Sequence, residues 1–188
     1  EELFSFVKKN RKIREKVKKI LVTFGGSDPK NLTAKLLKTF LSAKLSAYKI
    51  TIVLGPGFRE PKRLKEMIKK EKNYSFKENI GARELGFLAL ESDLCFSSGG
   101  ITMYELAALG LPNIVLCQVP HEVINAKQFQ RQGIVINLGI GTKFKPARLL
   151  KSVDFLDKNK RVREKMSAAG KRYVDGKGLE RIVRIIMK

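Results

Sequence analysis

Short apolar runs alternate with amphipathic segments along most of the chain. Six runs of four to six residues predict strands, at residues 19–24, 49–54, 73–78, 93–96, 113–117 and 134–138. The segments between them have helical periodicity and predict helices, at residues 30–43, 60–72, 82–91, 101–109 and 122–132. Because the strands alternate with helices, we predict an α/β fold: a Rossmann-like, mostly parallel sheet of about six strands with helices on both faces.

The two ends of the chain carry further helical patterns. Residues 2–17 place apolar side chains at loosely helical spacing among basic residues, so residues 1–18 are predicted to be a basic amphipathic helix or interdomain linker. Residues 19–188 then form the main domain. From about residue 146 onward the pattern predicts two or three helices, broken near Gly170 and again at residues 176–178.

Charge adds a second feature to this picture. The chain has 188 residues, 43% of them hydrophobic, and a formal net charge of +21, with eight basic residues and one acidic residue in the stretch 8–19. This charge has three explanations: a lysine-rich surface of the kind found in hyperthermophiles, attraction to a phosphorylated ligand or an anionic membrane surface, and nucleic-acid binding. The basic residues are spread along the chain without interleaved aromatic residues, which disfavours nucleic acid.

Cysteine and histidine usage narrows the chemistry. Cys95 and Cys117 each lie in an apolar, strand-like run, and their spacing matches no metal motif, so we predict buried, reduced thiols. His121 is the only histidine, which argues against a histidine-rich metal site. No apolar run approaches the roughly 20 residues that cross a bilayer. We therefore expect a cytoplasmic protein without a metal or cofactor, with peripheral membrane attachment left open.

Two glycine-rich turns follow predicted strands. Gly25, Gly26 and Ser27 come after the first strand, and Asp28 suits the N-cap of the helix that follows. Glycines at such a turn let backbone approach a ligand, and the amino end of a helix favours phosphate. A tight turn without any ligand is the alternative. The ligands of open parallel sheets lie outside the carboxyl ends of the strands, where this turn is predicted.

The second turn gives the stronger signal. It comprises Ser97, Ser98, Gly99 and Gly100, and Glu105 follows in the second turn of the next predicted helix. The hydroxyls and main-chain N–H groups suit a diphosphate, and the carboxylate can accept hydrogen bonds from both hydroxyls of a ribose. The alternative for Glu105 is an acidic residue that is favoured near a helix amino end by the helix dipole.

A third candidate segment follows the fifth strand. The loop and helix there carry Pro120, His121 and Glu122, followed by Asn125 and Gln128, at the edge where ligands bind. A lone histidine is more often structural than catalytic, so a structural role for His121 stays open. No combination of nucleophile, histidine and carboxylate stands out.

The stretch from Ser97 to Pro112 resembles the nucleotide-binding signature of GT-B glycosyltransferases, and of the carboxyl-terminal domain of the MurG-like group in particular. The resemblance implies a nucleotide-sugar-binding domain at residues 19–188. It assigns the UDP diphosphate to the main chain of Ser98, Gly99, Gly100 and Ile101, and the ribose to Glu105. The uracil would be read by backbone in the segment from about Phe76 to Ile80, at Asn79 and Ile80 in particular. His121 and Asn125 match the positions that contact the donor sugar only weakly.

The stretch 25–33 is similar to the UDP-sugar hydrolase of pseudaminic acid biosynthesis, PseG, and its spore-coat relatives. This resemblance implies that water attacks the anomeric carbon and UDP leaves, and it adds Gly25, Gly26 and Ser27 to the nucleotide site. In that family the catalytic histidine lies in a first Rossmann-like domain, to which nothing here corresponds. We therefore expect this chain to bind a UDP-sugar, to be inactive alone, and to work with a second Rossmann-like domain or subunit.

Two alternatives remain open at this stage. The chain is the donor-binding half of a split, MurG-like glycosyltransferase, or it is a nucleotide- or polyanion-binding module without enzymatic activity. Basic residues 8–19 would face a membrane or a partner in the first case and a polyanion in the second. The sequence does not name the sugar.

Overall fold

The structure, a computed structural model, describes Phe6 and residues 11–187. It contains a six-stranded, entirely parallel sheet in the order β3-β2-β1-β4-β5-β6. The strands are β1 (Lys19–Thr23), β2 (Lys49–Leu54), β3 (Tyr74–Glu78), β4 (Leu94–Ser97), β5 (Asn113–Cys117) and β6 (Val135–Ile140). The helices are α1 (Leu32–Ser42), α2 (Pro61–Ile68), α3 (Ala82–Glu91), α4 (Ile101–Ala108), α5 (Pro120–Arg131), α6 (Pro146–Lys158), α7 (Lys160–Tyr173) and α8 (Gly178–Ile186).

The core lies on both faces of the sheet. Alternate residues of a strand point to opposite faces, so Ile20 and Val22 of β1 belong to one hydrophobic cluster and Leu21 to another. The first cluster includes Phe40 of α1 and Phe96 of β4, whose rings meet edge to face. Every residue of β4 and β5 is buried, as expected for strands that are covered by helices on both sides. The predicted fold class and strand number are confirmed.

Both cysteines lie in this core. Cys95 and Cys117 are buried and free, as predicted, and burial raises the pKa of the Cys117 thiol to about 12. Within the part of the chain that the structure describes, none of the helices combines the length and apolarity that crossing a bilayer requires.

Of the predicted amino-terminal helix or linker, residues 1–18, the structure shows no helix at residues 11–18, while Phe6 lies in a 3-10 turn. Residues 1–5 and 7–10 lie outside the described residues, and residues 11–18, here called the amino-terminal connection, contain no helix. Main-chain N–H groups that a helix would use are bound by carboxylates instead. Asp93 accepts hydrogen bonds from Lys18 and Lys19, at 2.8 and 2.9 Å, and Asp157 accepts one from Val17 at 2.7 Å. These long-range contacts outweigh the helical pattern.

The predicted helix break near Gly170 is also wrong. Helix α7 continues through Gly170 to Tyr173, and the break comes only at the following segment before α8. A Cβ at Gly170 would lie 2.6 Å from the carbonyl oxygen of Ala107 in α4. This glycine therefore serves close packing of α7 on α4 and does not end the helix.

Arg163 of α7 joins the amino-terminal connection to the domain. Its side chain is fully buried, and its guanidinium donates hydrogen bonds to the carbonyls of Leu156 and Asp157 in α6 and to those of residues 14–15. One buried cation thus satisfies four main-chain acceptors that belong to two separate segments.

Replacing Arg163 with methionine is expected to lower the free energy of unfolding by about 2–3 kcal/mol, because buried carbonyl groups lose their donors. Urea denaturation followed by circular dichroism measures this change. Arg161→Met on the exposed side of the same helix is the matched control and should change stability by less than about 0.5 kcal/mol. Equal stability of the two variants would contradict the assigned role of Arg163.

Candidate functional site

The strand order reverses between β1 and β4, at the middle of the sheet. The chain runs outward from β1 through β2 to β3, then returns to β4 and continues in the other direction. In open parallel sheets, this reversal creates a crevice at the carboxyl ends of the two strands. The first turn (residues 25–27) follows β1, and the second turn (residues 97–100) begins at the end of β4. The two glycine-rich turns therefore border the same crevice.

The first turn is exposed at Gly26 and Ser27. The helix that follows it has a carboxylate of the protein itself bound at its amino end. The Asp28 carboxylate is buried and accepts the N–H groups of Leu32 and Thr33, each at 2.8 Å. Helix α1 begins at Leu32, two residues after the predicted start at residue 30, and its N-cap is Asn31 in place of the predicted Asp28, because Asp28 and Asn31 both adopt left-handed backbone conformations. The amino end of α1 is thus capped from within the protein.

A cavity of about 450 Å³ opens beside the first turn. It lies between the connection that follows β1 and the one that follows β2, and its lining includes Ser27, Gly57, Phe58 and Arg59. The two connections are joined by a hydrogen bond from the Gly57 N–H to the Gly26 carbonyl at 2.8 Å. Arg59, an exposed residue, adds a basic residue to the lining of this cavity.

The second turn is held from below by side chains of the sheet. Ser97 is buried, accepts a hydrogen bond from the Asn113 amide at 2.8 Å and donates one to the Ser98 carbonyl at 2.9 Å. Gly99 packs against Glu122 of α5, where a Cβ would lie 2.7 Å from the Glu122 carbonyl oxygen. The Gly99 N–H donates to the Glu122 carboxylate at 3.2 Å, so in this structure it already has a partner within the protein.

Helix α4 differs from α1 at its amino end. Gly100 is its N-cap, no side chain caps it, and no acidic residue lies in its first turn. Ile101, the first residue of the helix, is 79% exposed. Among the described residues the N–H groups of Gly100 and Ile101 have no hydrogen-bond partner, while the Glu122 carboxylate lies beside them on the Gly99 N–H. Free N–H groups at the positive end of a helix dipole favour a phosphate.

Glu105 lies one turn further along α4. Its side chain is half-buried, and burial raises the pKa of its carboxyl above the ordinary value of 4.5. No donor within residues 11–187 or at Phe6 forms a hydrogen bond or ion pair with this carboxylate. A partly desolvated acceptor beside an uncapped helix start is suited to a hydroxylated ligand.

The residues predicted to contact the base and the sugar differ in their exposure and in their hydrogen bonding. The Asn79 N–H donates to the Leu54 carbonyl at 3.0 Å, so of the predicted pair only the Ile80 N–H has no partner among the described residues. Ile80 itself packs against the cluster that contains Leu21 and Leu106. On α5, His121 is exposed and Asn125 is half-buried, and neither forms a hydrogen bond with another predicted site residue in the described chain.

Sequence reasoning missed a buried polar chain that links the site segments. The Gln118 side chain donates to the Asp28 carboxylate at 2.7 Å, and the Gln118 main-chain N–H donates to the Glu122 carboxylate at 2.7 Å. Polar residues at the otherwise apolar junction of β5 and α5 were the available signal. Among the described residues, no group of three or more histidine, cysteine, aspartate or glutamate side chains could hold a metal ion.

Three known proteins are similar to this chain over nearly its whole length. SpsG of Bacillus subtilis (strain 168), a spore coat polysaccharide biosynthesis protein, is 28% identical over 184 residues, which are 97% of this chain and 54% of SpsG. The crystal structure of Acinetobacter baumannii MurG matches with a TM-score of 0.72 and 17% identity, over 98% of this chain and 52% of that one. No protein-family model matches the chain.

The third is the crystal structure of UDP-GlcNAc 2-epimerase from Neisseria meningitidis bound to UDP-GlcNAc, with a TM-score of 0.64 and 22% identity, over 93% of this chain and 45% of that one. The chain thus spans about half the length of these three proteins. Together with the parallel sheet of order β3-β2-β1-β4-β5-β6, the structural matches show that this chain has the fold of the carboxyl-terminal domain of GT-B proteins such as MurG.

Proposed function

We propose that this chain binds a UDP-sugar in the crevice between β1 and β4 and forms the donor-binding half of a nucleotide-sugar hydrolase of the PseG type. The observation that carries the proposal is the uncapped amino end of α4, directly after a glycine turn, with the half-buried Glu105 one turn further on. The similarity to SpsG, a protein of polysaccharide biosynthesis, and to an epimerase that was crystallised with UDP-GlcNAc supports this ligand class.

In this proposal each element has one task. The leading N–H groups of α4, at Gly100 and Ile101, hold the diphosphate together with the exposed main chain of Gly26 and Ser27. Glu105 accepts hydrogen bonds from the ribose hydroxyls. When water attacks the anomeric carbon and UDP leaves, preorganised donors aimed at the growing negative charge each lower the barrier by about 3 kcal/mol. The group that activates water would come from the half of the relatives that this chain does not span.

Helix α8 supports the need for a second domain. None of its residues is buried. Its apolar side chains and that of Met187, which follows the helix, are between 43% and 82% exposed. Leu179, Ile182 and Ile186 lie on one side of the helix, and a patch of this kind marks a surface that packs against another element. The half of SpsG and MurG that this chain does not span is the natural candidate.

Calorimetric titration with UDP, UDP-GlcNAc, GDP and ADP tests the proposed function. We expect both uridine nucleotides to bind at least tenfold more tightly than GDP or ADP. Incubation with UDP-GlcNAc should release little UDP, since the groups that activate water are expected in a second domain. Equal affinity for all four nucleotides, or no binding, would refute the proposal. Hydrolysis by the purified chain that Glu105→Ala abolishes would refute only the half-enzyme part.

A further inference from the structure

Three polar side chains form a continuous buried chain at the carboxyl edge of the sheet. Asp28, Gln118 and Glu122 are only 6%, 7% and 8% exposed. They come from the connection after β1, the connection after β5 and the first turn of α5. Buried polar groups are costly unless they are hydrogen-bonded, and a fully bonded network fixes the geometry of the segments that it joins.

Gln118 is the link between the two turns. Its side-chain nitrogen donates to Asp28 at 2.7 Å, and its side-chain oxygen accepts the Lys30 N–H at 3.3 Å. Its main-chain N–H donates to the Glu122 carboxylate at 2.7 Å, and the same carboxylate oxygen accepts the Gly99 N–H at 3.2 Å. One residue thus ties the segment after β1 to the segment after β4, across the reversal of strand order.

The chemistry of the partners makes the amide specific at this position. A carboxylate only accepts hydrogen bonds and a main-chain N–H only donates, so the residue between Asp28 and Lys30 must offer one donor and one acceptor. Among side chains of this length, only glutamine does so without charge. A glutamate would face the Asp28 carboxylate, and a methionine of similar length would bond neither partner.

We propose that Gln118 is a positioning residue, which holds the first and second turns at the separation that a diphosphate needs to contact both. This inference rests on the proposed function. Gln118 need not touch the ligand, because it acts through Asp28 on the start of α1 and through Glu122 on Gly99. Fixing the two turns before binding avoids the cost of ordering them when the ligand arrives.

The test compares Gln118→Met with Asn73→Leu in the whole chain. Asn73 lies at the opposite edge of the sheet, where its amide donates to the carbonyls of Leu45 and Tyr48 at 3.1 and 2.8 Å. Both variants therefore lose a bridging amide, but only one loses it beside the turns. UDP and uridine are titrated by NMR, and amide hydrogen exchange is followed at Leu32, Thr33 and Gly99.

Gln118→Met is expected to weaken UDP binding about tenfold, or about 1.4 kcal/mol, and to leave the affinity for uridine within twofold. Exchange at Leu32, Thr33 and Gly99 should accelerate together, because the side-chain bond to Asp28 is lost and the main chain of residue 118, which holds Glu122, is no longer anchored by it. Asn73→Leu should change neither the UDP affinity nor these three amides. If Gln118→Met does not fold, Gln118→Asn, which keeps the amide but shortens its reach, takes its place with the same expected results.

Four results would overturn the inference. If wild type binds UDP and Gln118→Met binds it equally well, the link has no part in binding, although the proposed function stands. If UDP and uridine lose affinity by the same factor, the effect does not come from the diphosphate turns. If exchange at Gly99 is unchanged, the two turns are not coupled. If wild type itself binds no UDP, the proposed function fails and the positioning role fails with it.

Discussion

Replacing Glu105 with glutamine is expected to weaken the binding of UDP by roughly 10- to 100-fold. A hydrogen bond to a charged acceptor contributes about 1.5–3 kcal/mol, and each 1.4 kcal/mol changes a dissociation constant tenfold. Glutamine keeps the size of the side chain and one oxygen, but it loses the charge and the second acceptor. The ribose hydroxyls are the groups that should sense this loss, and calorimetry with UDP measures it.

The same substitution should leave the fold as stable as wild type or more stable. Burial raises the pKa of Glu105 in the folded state above 4.5, so the ionised carboxylate disfavours folding. Below the unfolded-state pKa this group imposes no penalty, and the penalty develops as the pH rises through the folded-state pKa. Glu105→Gln should therefore match wild type near pH 4 and melt at an equal or higher temperature at pH 7. A residue that served only the structure would not give this combination.

Two controls make the result specific to the ribose. Glu66→Gln removes an exposed helix carboxylate on α2 and should change neither binding nor stability appreciably. UDP without its 2′ and 3′ hydroxyls should bind wild type and Glu105→Gln with the same affinity. A large difference between the two proteins for this ligand would mean that Glu105 acts on the phosphates or on the fold, and the assigned role would be wrong.

Local patterns predicted the fold because strands and helices of this domain are locally encoded. The bounds of β2, α3 and β5 agree with the predicted ranges 49–54, 82–91 and 113–117. Period-two burial in strands and period-3.6 burial in helices are properties of a few neighbouring residues. The helical pattern gave a wrong prediction for residues 11–18, because the backbone there is held by contacts that are distant in sequence. Its partners, Asp93 and Asp157, lie 74–140 residues away.

The sequence predicted only part of the candidate site, because some of its contacts join residues that are distant in sequence. Glycine turns at strand ends and an acid in the following helix are local signals, and they located the crevice. Local patterns do not reveal which N–H groups already form hydrogen bonds within the protein, because their partners lie far away in sequence. Gln118 meets Asp28 across 90 residues of sequence, and Gly99 meets Glu122 across 23. These contacts give the Gly99 N–H a protein partner and place the Asp28 carboxylate on the first N–H groups of α1, whereas the N–H groups of Gly100 and Ile101 in α4 have no partner among the described residues.

Two glycine-to-alanine substitutions should distinguish a glycine that the fold requires from one that UDP binding requires. A Cβ at Gly55 would lie 2.4 Å from the carbonyl oxygens of both Gly25 and Gly26, so backbone would meet side chain where neither can move away. Gly55→Ala is expected to lower the free energy of unfolding by about 3 kcal/mol or more, as overpacking at a rigid contact does. Urea denaturation measures it.

Gly26→Ala is expected to weaken UDP binding without lowering the stability of the fold. Nothing lies within 4 Å of a Cβ at this position, and its backbone is not left-handed, so stability should be unchanged or raised by up to about 1 kcal/mol. The added methyl group projects from the first turn, where the diphosphate is proposed to approach, so UDP affinity should fall about tenfold. Gly178→Ala, which also has open space at the start of α8, is the matched control and should bind UDP like wild type. If Gly26→Ala binds UDP as tightly as this control does, the first turn does not hold the diphosphate, and binding would depend on α4 alone.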